Sequence, residues 1–167
     1  AQAIGATQGG TAAGCFGDFG AFSFHATKNL ACGEGGALAV NRPQSLERIE
    51  ILREKGTDRS RFLRGEVDKY SWQDIGSSWV VSELVAAYLK AQLECADQIT
   101  AQRLQLWQRY QAALAPLETD GVLRRPVLTP GAMHNAHLYP ILLPDESRQV
   151  AVGAALRAKG IEASRHY

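Results

Sequence analysis

The chain has 167 residues, 46% of them apolar, and a formal net charge of +1. That length supports one domain-sized core, while 18 basic against 17 acidic residues give no reason to expect nucleic acid or an anionic membrane surface as partner. No apolar run reaches the ~20 residues that span a bilayer, and Cys15, Cys32 and Cys95 are too few and too scattered for a disulfide framework, so reduced thiols in a cytoplasmic setting are expected.

Residues 1–20 are rich in glycine and alanine, and Gly14, Gly17 and Gly20 punctuate short apolar pieces, which predicts strands and tight turns. The start at Ala1-Gln2-Ala3 and the stop at Arg165-His166-Tyr167 both read as cuts inside a longer protein. Ala21–Phe24 and Ala37–Val40 predict short buried strands. Between them runs Phe22-Ser23-Phe24-His25-Ala26-Thr27-Lys28-Asn29, followed by Gly33-Glu34-Gly35-Gly36. A lysine between an aromatic run and a glycine-rich turn is placed for a pocket floor, where desolvation favours the neutral, nucleophilic amine. The plainer reading is a surface lysine before a turn. His25 either exchanges protons or packs against the backbone.

Asn41 and Pro43 predict a helix start, Asn41 as cap, with Leu46, Ile49 and Leu52 at helical spacing up to Gly56. Residues 57–78 are polar and irregular, a long loop that Tyr70, Trp72 and Trp79 suggest is packed. Arg59, Arg61 and Arg64 within it either fork onto a diphosphate or lie solvated. From Ser82 a helical pattern runs through Leu84, Tyr88, Ala91, Cys95 and Ile99 to Leu114, about 50 Å at 1.5 Å per residue, so a kink or a bridge between domains is expected before Pro116 ends it. A strand over 137–143, a helix over 147–159 and a strand from Ile161 then predict a second domain. The expected division is residues 1–115, part of a large domain, and 116–167, the start of a small one. His134 and His137 have i, i+3 spacing but no third ligand, so no metal is expected. Neither GxGxxG nor GxxxxGK[ST] occurs.

The string from Ser23 to Gly36 resembles the cofactor-lysine segment of the DegT/DnrJ/EryC1/StrS family of sugar aminotransferases, where S-F-x-x-x-K-N precedes G-E-G-G. The resemblance implies an α/β, aspartate-aminotransferase-like fold (pyridoxal-phosphate-dependent transferase fold type I). Its large domain has a mixed, mostly parallel sheet and its small C-terminal domain is also α/β, both incomplete in this chain. It implies pyridoxal 5'-phosphate (PLP) as cofactor, Lys28 as the catalytic residue joined to it, Ser23 on its phosphate and Gln2 beside its ring. The family's D-A-A-Q pattern places the carboxylate partner of the pyridine nitrogen two positions before Ala1; Asp18 does not match it. Ser78 stands where the family's G-x-N asparagine reaches the partner subunit's cofactor phosphate, which implies a homodimer with shared active sites. The alternative is that Ser78 caps a helix beginning near Val80. His25, Arg59 and Arg64 are candidates for substrate contact.

Arg53–Ser60, Arg64–Tyr70, Asp74–Ser78 and Gln92-Leu93-Glu94 look like the branch that aminates dTDP-4-keto-6-deoxyglucose. There L-glutamate is the donor and the lysine shuttles the proton in a ping-pong cycle. The competing expectations are an aminotransferase for another nucleotide keto-sugar, and a non-catalytic sugar-nucleotide binding module of the same fold.

Overall fold

The computed structural model describes residues 1–166. β1 (Thr7–Gln8) turns back onto β2 (Thr11–Ala12), and β5 (Ala132–Met133) adds to the free edge of β1, in the order β2-β1-β5. β3 (Phe19–Ser23) and β4 (Gly36–Val40) form a separate ribbon, Phe19 opposite Val40 and Ser23 opposite Gly36. Every pairing among the described residues is antiparallel. The connection from β3 to β4 carries no helix to cross the chain over, so the mostly parallel sheet of the expected fold is not formed by these residues.

Nor are the two ribbon strands buried as expected: Phe19, Ala21, Ala37 and Leu38 are exposed. Gly20 apart, burial begins where β3 ends. Phe24, Leu30 and Cys32 form a core against Ile4, Phe22, Val85, Leu89, Ala96 and Ile99. The apolar content of this region therefore anchors the loop between the strands rather than the strands themselves.

Asn41 does not cap a helix. Its side-chain amide donates to the carbonyls of Gly14 at 2.9 Å and Gly17 at 2.7 Å, tying the start of the chain to the end of β4. Pro43 opens a 3-10 turn over Pro43–Ser45, and α1 (Leu46–Arg53) follows. Residues 54–78 enclose one short helix, α2 (Arg59–Leu63), and are held by polar groups. Glu54, Thr57 and Asp58 are buried. The Asp58 carboxylate accepts from the Ser71 N–H at 2.7 Å and the Gln73 amide at 3.1 Å, and the Thr57 hydroxyl donates to the Glu54 carbonyl at 2.8 Å. The aromatics expected to pack this loop do not. Trp72 is 82% and Trp79 73% exposed, and among the described residues only Tyr70 of the three meets another ring, Phe62, at 5.7 Å. Buried carboxylates in hydrogen-bond networks can order a segment without an apolar centre.

The long helical pattern breaks at Cys95 (φ −101°, ψ 8°) into α3 (Glu83–Glu94) and α4 (Ala96–Ala113). Ser82 caps α3 by accepting from the Val85 N–H at 3.4 Å. Pro116 does not stop α4; it sits in the first turn of α5 (Ala115–Thr119), where its missing N–H costs nothing. Residues 137–143 run without a ladder, joined to the fold by an isolated bridge from Leu142 to Arg124, because Pro140 interrupts the donors a strand needs. Asp145 caps α6 (Glu146–Ala158), accepting from the Arg148 N–H at 2.8 Å, and residues 161–163 form no strand. No described helix is long and apolar enough to cross a membrane.

Candidate active site

Lys28 lies in a closed loop rather than on a strand. The Phe24 N–H donates to Gly35 and the Ala26 N–H to Gly33, both at 2.8 Å, the Cys32 N–H returns to Phe24 at 2.8 Å, and the Lys28 N–H donates to His25 at 2.9 Å. Gly33 turns at φ +86°, a conformation that side chains rarely adopt. Phe24 and Leu30, on either side of the lysine, plug into the angle between α3 and α4. The anchor fixes where the lysine stands. Lys28 itself is only part-buried, so these residues do not provide the desolvated floor expected from the sequence.

Three further groups gather here. The Ser23 N–H donates to the Ala1 carbonyl at 3.1 Å, laying Ala1 and Gln2 beside the end of β3. The Gln2 carbonyl accepts from the Asn135 amide at 2.7 Å, and Gln2 is exposed. The Ser23 hydroxyl accepts from the His25 N–H at 3.3 Å, which leaves its own proton to donate. His25 is engaged on the loop itself: Nδ1 accepts from the Thr27 N–H at 3.1 Å and meets the Thr27 hydroxyl at 2.8 Å, while Nε2 lies 3.4 Å from Glu34.

Two participants escape sequence reasoning. Asn29 donates through Nδ2 to the Asn135 carbonyl at 2.7 Å, and its Oδ1 lies 2.9 Å from His137 Nδ1. Burial lowers the His137 pKa, and the positive charges of Lys28, Arg103 and His166 lower it further. A signal is present, since Asn29 follows the lysine and His137 belongs to the His134/His137 pair. The spacing of that pair suggests metal ligands and nothing else. His134 turns elsewhere, packing on Trp107 at 4.5 Å.

Arg59 and Ser78 pair with Glu54, and Arg64 pairs with Glu66 and Glu50. Arg59 is bound to the buried Glu54, whose hydrogen bond and charge hold the guanidinium still more firmly protonated. Arg64 donates to Glu66 at 2.6 Å and to Glu50 at 3.0 Å, and its hydrogen bond holds the Glu66 carboxyl below its ordinary value. Both forks are thus occupied by carboxylates of the chain. Ser78 is exposed and bridged to Glu54. It does not cap a helix and is not at a helix N-terminus, because the helix starts at Glu83 under Ser82. Asp18 sits before β3, at the opposite end from Ser23, with Arg42 at 4.0 Å.

The donor set fits PLP in kind: an amine on Lys28, a Ser23 hydroxyl with its proton left to donate to a phosphate oxygen, and the exposed carboxamide of Gln2. The carboxylate for a pyridine nitrogen is not supplied by Asp18.

Residues 1–167 match the family described as the DegT/DnrJ/EryC1/StrS aminotransferase family. A dTDP-3-amino-3,4,6-trideoxy-alpha-D-glucose transaminase of Streptomyces venezuelae is 32% identical over 168 residues, covering 100% of this chain and 40% of that protein. The crystal structure of S. venezuelae DesV in complex with a ketimine intermediate is similar with a TM-score of 0.83 at 31% identity, over 100% of this chain and 41% of that one. The structure of Spr1654 of Streptococcus pneumoniae, in its PLP form, shares the fold with a TM-score of 0.84 at 21% identity, over 100% of this chain and 42% of that one. The chain therefore spans about 40% of the length of the curated relative.

Proposed function

Because the chain belongs to the DegT/DnrJ/EryC1/StrS aminotransferase family, we propose that it is the lysine-bearing part of a PLP-dependent nucleotide-sugar aminotransferase. The observation that carries this reading is the loop closed by Gly33 and Gly35 and anchored by Phe24 and Leu30, which ties the Lys28 backbone through His25 to Ser23, whose own N–H holds the Ala1 carbonyl. Bound there, PLP supplies an electron sink for the carbanion formed during amine transfer. The chain's residues supply the rest. Lys28 Nζ would tether the cofactor covalently and, as a free amine, would take the proton from the donor's Cα as base and deliver it to the cofactor's C4′ as acid. Ser23 donates its hydroxyl to the phosphate, and Gln2 stands beside the ring. We assign His25 to the shape of the loop, and Arg59 and Arg64 to the 54–78 segment, since their polar atoms are already engaged.

The amine donor in this reading is L-glutamate. The acceptor is dTDP-4-keto-6-deoxyglucose, giving dTDP-4-amino-4,6-dideoxygalactose for enterobacterial common antigen or a related surface polysaccharide. The name of the S. venezuelae relative supports a dTDP-linked sugar, but it concerns a 3-amino product. The C4 position rests on the 53–78 strings and Gln92-Leu93-Glu94. The working unit is a cytoplasmic homodimer that shares its sites through Ser78, and residues 116–167 open its smaller domain.

Borohydride reduction of the PLP-loaded protein, followed by peptide mapping, places the pyridoxyl label on Lys28. A label on Lys55 or Lys69 overturns the assignment. Rates with a panel of dTDP- and UDP-linked 3-keto and 4-keto sugars then decide the substrate. Faster turnover of a UDP-4-keto sugar removes the dTDP reading and leaves the family intact.

A further inference from the structure

Asn135 and His137 grip Asn29 by both ends of its carboxamide. The Asn135 carbonyl only accepts, so Nδ2 must face it and Oδ1 must face His137. Oδ1 in turn only accepts, so His137 Nδ1 carries the proton and, in the neutral ring, Nε2 keeps the lone pair. The gripping segment is itself braced from α4: Arg103 donates to the carbonyls of Ala136 at 3.1 Å and His137 at 2.9 Å. Between the two grips, Ala136 is buried at φ +49°, a left-handed conformation that non-glycine residues avoid and that persists only where surroundings impose it. The Asn135 side chain also donates to the carbonyls of Gln2 and Ile4, at 2.7 and 2.9 Å.

Resting on the aminotransferase reading of Lys28, we infer that Asn135-Ala136-His137 is a clamp that sets the direction of Lys28 through Asn29, with Asn29 and His137 as positioning residues. One segment thereby aligns the two strings that the site needs, the lysine loop and the Ala1–Ile4 stretch, and α4 holds that segment through Arg103. The charges that face His137 are Lys28 on the loop, Arg103 on α4 and His166 near the end of the chain. With burial they keep the ring neutral near pH 7, where its Nδ1–H is the donor Asn29 requires.

Reductive ¹³C-methylation of the apoprotein gives Lys28 an NMR line, assigned by its loss in Lys28→Arg. His137→Phe and Asn29→Ala shift and broaden that line and speed PLP release from the loaded protein by about fivefold, as expected for losing a part-buried hydrogen bond of about 1 kcal/mol. His137→Gln, whose amide N–H still reaches Asn29, stays within about twofold of the parent protein. A Lys28 line and a PLP release rate unchanged in His137→Phe overturn the clamp. So does His137→Gln behaving like His137→Phe, because the donated bond is then not what matters. If His137→Phe does not fold, Asn29→Ala decides between the outcomes by the same two readouts. If the parent protein takes no PLP on Lys28, the aminotransferase reading fails, while the Lys28 line of the apoprotein still tests the clamp.

Discussion

Among single side chains, His137 ties stability to pH. Its folded pKa lies below the ordinary imidazole value of 6.5, so below that pH the unfolded chain binds a proton that the folded chain refuses. Stability rises with pH wherever the unfolded state holds more protons. The contribution is therefore complete above about pH 6.5 and is lost as the pH falls towards the folded value. Denaturant unfolding from pH 8 to pH 5 should show this loss, and His137→Gln should remove that component of the slope. An equal slope in the variant would assign the effect to other groups. The family is legible because the contiguous string from Ser23 to Gly36 carries the resemblance. The bond from His137 to Asn29 is not, since it joins residues 108 positions apart. Asn41 misleads for a related reason: a capping residue type finds better acceptors on Gly14 and Gly17, which no local pattern reveals.

At the scale of elements, the 54–78 segment depends on two backbones meeting. The Lys55 N–H donates to the Ser77 carbonyl at 3.1 Å, and a Cβ on Gly76 would collide with the Gly56 nitrogen. Gly76→Ala should lose at least ~1–3 kcal/mol, the usual cost of overpacking against atoms that cannot yield. Gly153→Ala is the control. Gly153 lies inside α6 with open space around it, so alanine there should add roughly 0.4–1 kcal/mol. Urea midpoints that moved the same way in both variants would contradict this account. Asp58→Ala removes the acceptor for Ser71 and Gln73 and should release the Ser71 amide to faster hydrogen exchange, at a cost of about 1–3 kcal/mol. The kink at Cys95 can be anticipated from length alone, as an unbroken run is too long for one layer. The order in residues 54–78 does not come from Tyr70, Trp72 and Trp79, because ring content does not disclose whether anything covers the rings. The strand expected over 137–143 meets Pro140, whose missing N–H breaks the ladder that the surrounding apolar spacing favours.

For the whole molecule, the homodimer reading makes a complementation prediction. Lys28→Ala and Ser78→Asp homodimers should each be nearly inactive, the second because a carboxylate repels phosphate. Co-refolding the two should restore activity, since one site of each heterodimer then has both native residues. No recovery in the mixture, or unchanged PLP affinity in Ser78→Asp, would place Ser78 outside the partner's site. The clamp on the Ala1–Ile4 stretch bears on how such a molecule is born. Asn135 holds the carbonyl of Ile4 across 131 positions of sequence, and β1 finds β5 across a similar span. At 5–20 residues per second, a ribosome delivers Asn135 on the order of ten seconds after Ile4. Through that interval the first strand waits with one edge unpaired, the condition in which nascent chains most need a chaperone. Contacts of such separation also form late, because the closure entropy precedes their reward. Pulse-labelled amides on Thr7 and Gln8 should therefore gain protection after those of α4, and Lys28 should acquire its final surroundings only after Asn135 has docked.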